Sequence, residues 1–160
     1  MRILPILFLT LLMITGCHRV KPTEGPLQID TPSGWEAKYR PSQGNEFYNL
    51  GNEKTGAYVV FVFAPGIPSS KISAVLNGYA KTFPTEAAEQ GTKLESETPV
   101  MGEIVGPSFN GKYQMFSLQN GTKSVYFLIS DGRGTWQGKY NGTEEGWKSA
   151  LEIIKGIKKK

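Results

Sequence analysis

The sequence predicts an α+β fold, a mostly antiparallel sheet of about six strands covered by two helices. Three observations carry this prediction. Tyr58–Phe63 and Val125–Ile129 are apolar without a break and rich in β-branched and aromatic residues, the composition of central strands covered on both faces. Residues 72–83 and 147–157 carry apolar side chains at helical spacing,. Gly, Pro, Asn and Asp punctuate the intervals between these segments,.

The elements follow in order. Leu27 and Ile29 alternate with Gln28 and Asp30 as a short strand, and Thr31-Pro32-Ser33-Gly34 turns the chain,. Trp35 comes next and is expected to cover one edge of the core. Phe47, Tyr48 and Leu50 mark a second strand, ended by Gly51-Asn52. Tyr58–Phe63 is the third, stopped by Pro65-Gly66. Ser69 or Ser70 caps a helix whose stripe is Ile72, Val75, Leu76, Tyr79 and Phe83, and Pro84 ends or kinks it,. Leu94, Ser96 and Thr98 alternate with Glu95 and Glu97, which places both glutamates on one face of a strand,. Gly102, Gly106 and Pro107 then interrupt. Tyr113–Leu118 and Ser124–Ile129 flank Asn120-Gly121, a dipeptide that tolerates two positive φ values and predicts a tight hairpin,. Asp131-Gly132-Arg133-Gly134 turns into Thr135–Tyr140, a strand diluted by Gly138. Thr143 caps the closing helix, with Glu144 and Glu145 in its first turn,. Trp147, Ala150, Leu151, Ile154 and Ile157 form its buried stripe.

Upstream of the fold, Arg2 supplies one positive charge, and residues 3–14 form an apolar run broken only by Pro5 and Thr10. The run is too short for a helix across ~30 Å of hydrocarbon and has the layout of an export signal. Ile14-Thr15-Gly16-Cys17 ends it and resembles the lipobox of bacterial lipoproteins. The resemblance implies cleavage between Gly16 and Cys17 and a diacylglyceryl thioether on Cys17. Residues 1–16 are then the signal peptide, 17–26 a lipidated tether, and 27–160 a single globular domain. His18, standing where Asp favours the inner membrane, implies the outer membrane, facing the periplasm.

Composition narrows the chemistry. Cys17 and His18 are the only cysteine and histidine. With Cys17 committed to lipid, no disulfide forms within the chain. Without a histidine in the globular part, Ser-His-Asp and Cys-His arrangements are absent. Asp30 and Asp131 are the only aspartates and build no EF-hand loop,. No metal and no cofactor is expected. The formal net charge is +4, and Lys155 and Lys158–Lys160 read as a solvated helix end that complements the dipole. A mild charge on an exported domain does not suit nucleic acid. The "DGRG" stretch lacks the Walker lysine and a following helix, so it is a turn and not a phosphate loop.

The order of elements resembles the PsbP-like fold, an α/β sandwich that includes DcrB-type bacterial lipoproteins. The matching stretches are "LQIDTPSGW", "AYVVFVF", "KYQMFSLQNGTKSVYFLIS" and "EEGWKSALEIIKGI", within residues 27–158. The short, glycine-diluted strand after Asp131 departs from the firm last strand of that family. The resemblance implies a non-catalytic binder, adaptor or assembly factor, and a fold alone gives no function.

The functional expectation is a lipid-anchored, non-enzymatic module that binds or adapts another envelope protein, with an immunity-type lipoprotein as one variant. The candidate contact residues are aromatics beside turns: Trp35 and Tyr39 after the first, Trp136 and Tyr140 after the second, with Arg133 at its tip,. Two alternatives stand beside it. One is a small-molecule or lipid carrier with an apolar pocket between helix and sheet. The other is a carboxylate-based envelope hydrolase using Glu95, Glu97 or Glu103.

Overall fold

The computed structural model describes residues 24–160, so the expected signal peptide, with Gly16, and the expected lipidation site at Cys17, with His18, lie outside the described residues. Nine strands and two helices follow in the order β1(Leu27–Gln28), β2(Trp35–Ser42), β3(Asn45–Asn52), β4(Ala57–Phe63), α1(Ile72–Glu89), β5(Val100–Val105), β6(Asn110–Ser117), β7(Lys123–Ser130), β8(Thr135–Gly142), α2(Glu144–Lys155) and β9(Lys158–Lys159). Seven strands form one sheet in the order β2-β3-β4-β8-β7-β6-β5, with every neighbouring pair antiparallel. β1 and β9 pair separately. This is the expected sandwich of antiparallel sheet and two helices, with more strands than the six expected.

The topology has one long crossover. β4 lies mid-sheet, yet the next strand, β5, lies at the far edge. α1 carries the chain there, lying against β6 and β7. From β5 the chain walks back through β6 and β7 to β8, which closes against β4. α2 packs on the opposite face, so β7 is buried from Val125 to Ser130 without interruption. Its odd residues Val125, Phe127 and Ile129 join the large core under α2. Its even residues Tyr126 and Leu128 join a small cluster with Ile72 and Leu76 of α1.

The core under α2 is built on aromatic rings. Tyr48 stacks on Phe61 at 5.1 Å, and Trp147 sits 5.5 Å from Tyr140 and 6.2 Å from Phe127. Gly138 stands opposite both Phe61 and Phe127 in the sheet register. A Cβ there would come within 2.2 Å of the Phe127 ring and 2.8 Å of Phe61 Cβ. The glycine that dilutes the strand in sequence therefore leaves the space that the Phe127 ring occupies. β8 is neither short nor peripheral: it runs eight residues and lies between β4 and β7.

Several local expectations change. β2 starts at Trp35 and was not evident as a strand. It alternates Trp35, Ala37 and Tyr39 toward the core with the exposed Glu36, Lys38 and Arg40. It joins β3 through Gln43-Gly44, both at positive φ (49° and 79°), the two-residue geometry suited to a twisted hairpin,. The strand expected over Leu27–Asp30 is only Leu27–Gln28 and pairs with Lys158–Lys159, so the C-terminal lysines are not simply a solvated helix end. Pro84 does not end α1, which continues to Glu89. Ser69 and Ser70 lie in a short 3-10 turn, and neither caps α1. Only Gly121 of the Asn120-Gly121 pair has positive φ, and the loop closes more widely, with Leu118 N donating to Thr122 O at 2.9 Å. Glu95 and Glu97 are not on a strand: only Leu94 makes an isolated bridge, to Leu118, and the edge strand begins at Val100 and runs through Gly102. In α2, Ile153 rather than Leu151 is fully buried, and Ile157 is buried just past the helix end. Thr143 caps this helix as expected, its Oγ1 accepting from Gly146 N at 3.1 Å.

Two substitutions test this packing by denaturant unfolding. Gly138→Ala forces the Phe61–Phe127 pair apart and is expected to cost about 1–3 kcal/mol, as overpacked cores do. Thr143→Ala loses one capping bond and is expected to cost about 1 kcal/mol. A Gly138→Ala protein as stable as the wild type would show that the Phe127 ring does not lie over Gly138.

Candidate functional site

The five aromatic and basic residues expected to form a contact surface do not gather in one. Trp35 is buried, with Nε1 donating to Ser149 Oγ at 2.9 Å, which ties β2 to α2. Tyr140 is fully buried, and its hydroxyl donates to Thr143 O at 2.6 Å. Trp136 is buried between Tyr48 and Phe63, at ring distances of 5.6 and 5.2 Å. Tyr39 is half-buried against Tyr48 at 5.1 Å. Arg133 alone is exposed, at the turn tip. Large aromatic rings beside turns enter the core here because they alternate inward from strands β2 and β8, a period-2 signal already present in the sequence.

The Asp131–Gly134 turn is held by its own carboxylate. Asp131 Oδ1 accepts from Arg133 N and Gly134 N, both at 2.9 Å, and Oδ2 accepts from Lys159 Nζ at 2.6 Å. Lys160 N donates to Pro26 O at 3.0 Å, so both ends of the described chain meet beside this turn. Partial burial works against the charged carboxylate, but the Lys159 ammonium and the two backbone N–H groups outweigh it and bring its pKa from 3.8 down to about 2,.

The glutamates do not converge either. Glu103 lies on β5 opposite Lys112, in an open depression of about 660 Å³ of mixed polar and apolar lining, with Ser73 and Asn110. Glu97 lines a different one, with Pro84, Thr92 and Gln119. Glu95 lines neither depression. Among the described residues, no group of three or more His, Cys, Asp or Glu side chains is placed to hold a metal ion.

Sequence reasoning missed a further groove, the more apolar one beside α1. α1 covers β6 and β7, and among the described residues no helix packs closely on the same sheet face over β2, β3 and β4. Along the boundary runs an open groove of about 590 Å³, floored by Val60, Val62 and Gln137 and walled by Tyr58, Tyr79, Tyr126 and Lys139. Tyr58 is 47% exposed on a central strand, where a large ring is ordinarily covered,. Tyr79 stacks on Tyr126 at 4.4 Å, and Lys139 Nζ lies 5.3 Å from the centre of the Tyr79 ring,. Tyr126 hydroxyl donates to Gln137 Oε1 at 2.9 Å. Burial, with Glu86 adding to it, pushes the Tyr79 hydroxyl up to about 12, and burial also raises that of Tyr126. Both phenols therefore stay neutral at ordinary pH.

No family model matches the sequence, and no curated protein matches it. The structure is similar to the solution structure of cyanobacterial PsbP (CyanoP) from Synechocystis sp. PCC 6803, with a TM-score of 0.51. The match covers 84% of this chain and 87% of that one, at 13% sequence identity. The fold is PsbP-like. At this identity the likeness extends to the PsbP-like architecture and not to any residue's role. Among the described residues of this PsbP-like domain, no helix is long and apolar enough to cross a membrane.

The Asp131 turn predicts a pH dependence. A carboxylate held below its unfolded pKa contributes stability that is full above about pH 4 and is lost as the pH falls through about 2,. Lys159→Ala should move the Asp131 titration, followed by carboxyl NMR, back toward its ordinary range. An unchanged midpoint would show that Lys159 does not hold the turn.

Proposed function

We propose that this chain is a lipid-anchored, non-enzymatic binding module of the bacterial envelope, tethered through Cys17 and facing the periplasm from the outer membrane. In this reading it engages another envelope protein through the half-bare sheet face beside α1. One observation carries the proposal: a tyrosine-walled apolar groove lies open on a central part of the sheet, where a folded domain ordinarily buries its strands,. Tyrosine is favoured at such surfaces because it combines apolar area with a hydrogen-bonding tip. The scattered glutamates lend a hydrolase no support, since its paired carboxylates must face one reacting centre. The groove volume also falls in the ~300–1,000 Å³ range of small-ligand sites, which keeps a carrier as the second reading.

A photo-crosslinking residue at position 58, in cells, separates the two readings. A discrete protein adduct, absent when the residue is placed at Lys54 on the neighbouring turn, supports the adaptor. An adduct that extracts with lipid supports the carrier. No adduct at position 58 would overturn the groove as a site. Tyr58→Asp should lower the yield of the protein adduct formed from a crosslinker at Lys139 by about 30-fold, the loss of one interface hot spot, and leave stability within about 0.5 kcal/mol. Radiolabelled palmitate entering the wild type but not Cys17→Ser tests the anchor separately.

A further inference from the structure

The sheet has two free edges, and they are built differently. β2 carries Glu36, Lys38 and Arg40 at alternate positions and Pro41, which lacks an N–H. Alternating charge and proline are the usual protection of an edge against pairing with another strand. β5 has no such protection. Val100, Met101 and Val105 are 56%, 49% and 67% exposed, three of the four exposed large hydrophobic residues among those described. They project from both faces of one six-residue strand, whose single charge, Glu103, stands opposite Lys112 of β6. Pro99 and Pro107 bracket the strand, so any pairing on it is confined to a short length,.

We propose that β5 is a self-association edge, which pairs antiparallel with β5 of a second copy of this chain. The free edge offers backbone hydrogen-bonding groups, so its complement is another strand. A two-fold axis normal to the sheet keeps each face continuous, and it fixes which residues meet. Centred on Gly102, it sets Val100 against Ile104 of the second copy and Met101 against Glu103 of the second copy. The glycines face each other at the axis without side chains in the way. Centred on Glu103 instead, it would oppose two carboxylates, which is destabilising. The Gly102-centred register thus opposes no like charges and brings Val100 onto Ile104, and Lys112 beside each Glu103 limits repulsion between copies. Six residues a side is well short of the ~20–30 of a standard stable interface, so the association is weak and depends on concentration.

Sedimentation of the full chain in density-matched detergent, over a series reaching ~1 mM, should show a monomer–dimer equilibrium. Val100→Lys with Val105→Lys, both exposed positions, should abolish the dimer and leave the near-UV circular dichroism unchanged. Met101→Lys supplies the opposite test, because it places a cation against Glu103 of the second copy and should tighten the dimer several-fold. If β5 instead paired head-to-tail with β2, with Glu103 set against Lys38, that lysine would meet Arg40, and association would weaken and run to larger species. A protein that stays monomeric throughout the series overturns the proposal. So does a dimer indifferent to the paired valine substitutions, or one weakened by Met101→Lys.

Discussion

The exposed groove is a consequence of one connection, the passage of the chain from β4 in mid-sheet to β5 at the far edge. Seven strands at ~4.8 Å spacing span about 29 Å, whereas a helix with its side chains is ~10–12 Å wide. α1 has to travel toward β5, so it lies over β6 and β7 and leaves β2, β3 and β4 bare on that face. Residues there reflect the compromise. Glu36, Lys38 and Arg40 keep β2 wet, while Tyr58, Val60 and Val62 make β4 apolar on a face that the protein does not cover. On the other face the sheet is sealed by α2 and a continuous aromatic core, which frees the first face from carrying the fold.

The two faces also differ in how firmly their helices are held. α2 brings Trp147, Ala150, Ile153 and Ile154 into the large core, has a side-chain cap, and is tied to β2 through Trp35 and Ser149. α1 sets Ile72 and Leu76 against Tyr126 and Leu128, and Phe83 against Phe116, a smaller cluster than that under α2, and it lacks a side-chain cap. Gln114 projects toward α1's side of the sheet, fully buried, with neither polar atom of its side chain bonded within the protein. A buried amide without partners costs about 1–3 kcal/mol, and that cost falls where the apolar cluster is smallest. Tyr79 and Tyr126 therefore form the groove wall on the less firmly held side of the domain, the side on which local opening is least expensive.

Much of this was legible in the sequence, because hydrophobic period and length identify central strands and amphipathic helices. Tyr58–Phe63, Val125–Ile129 and both helical stripes lie where their patterns place them. The failures have physical causes. β2 was hidden because its outward residues are charged and its inward ones, Trp35, Ala37 and Tyr39, vary widely in size. β5 was hidden because Gly102 reads as a break, although Tyr113 lies across it and a Cβ there would meet that ring at 2.2 Å. β8 looked weak for the same reason at Gly138. In each case the glycine makes room for an aromatic ring on a neighbouring strand, a long-range contact that one-dimensional patterning does not contain. The groove was illegible on the same grounds, since it arises from where α1 crosses the sheet and not from any run of residues. The aromatic residues singled out beside turns are core for the converse reason, alternating inward from strands whose pairing had not been recognised.

The chemistry of the groove bears on what it can do. A general acid or base must have a proton to exchange and a pKa near the working pH. The phenols of Tyr79 and Tyr126 are pushed away from neutrality, and each is already engaged, Tyr126 with Gln137 and Tyr79 with Ser124. Lys139 stacks its charge over the Tyr79 ring, without a carboxylate partner among the ion pairs of the described residues. If a partner covers the groove as proposed, most of the gain on contact comes from the apolar area of Tyr58, Val60 and Val62,. In the binding role proposed above, such a surface would favour shape and aromatic contact, and the two charges that line it, Lys139 and Glu86, would select among partners by the sign of the group each meets.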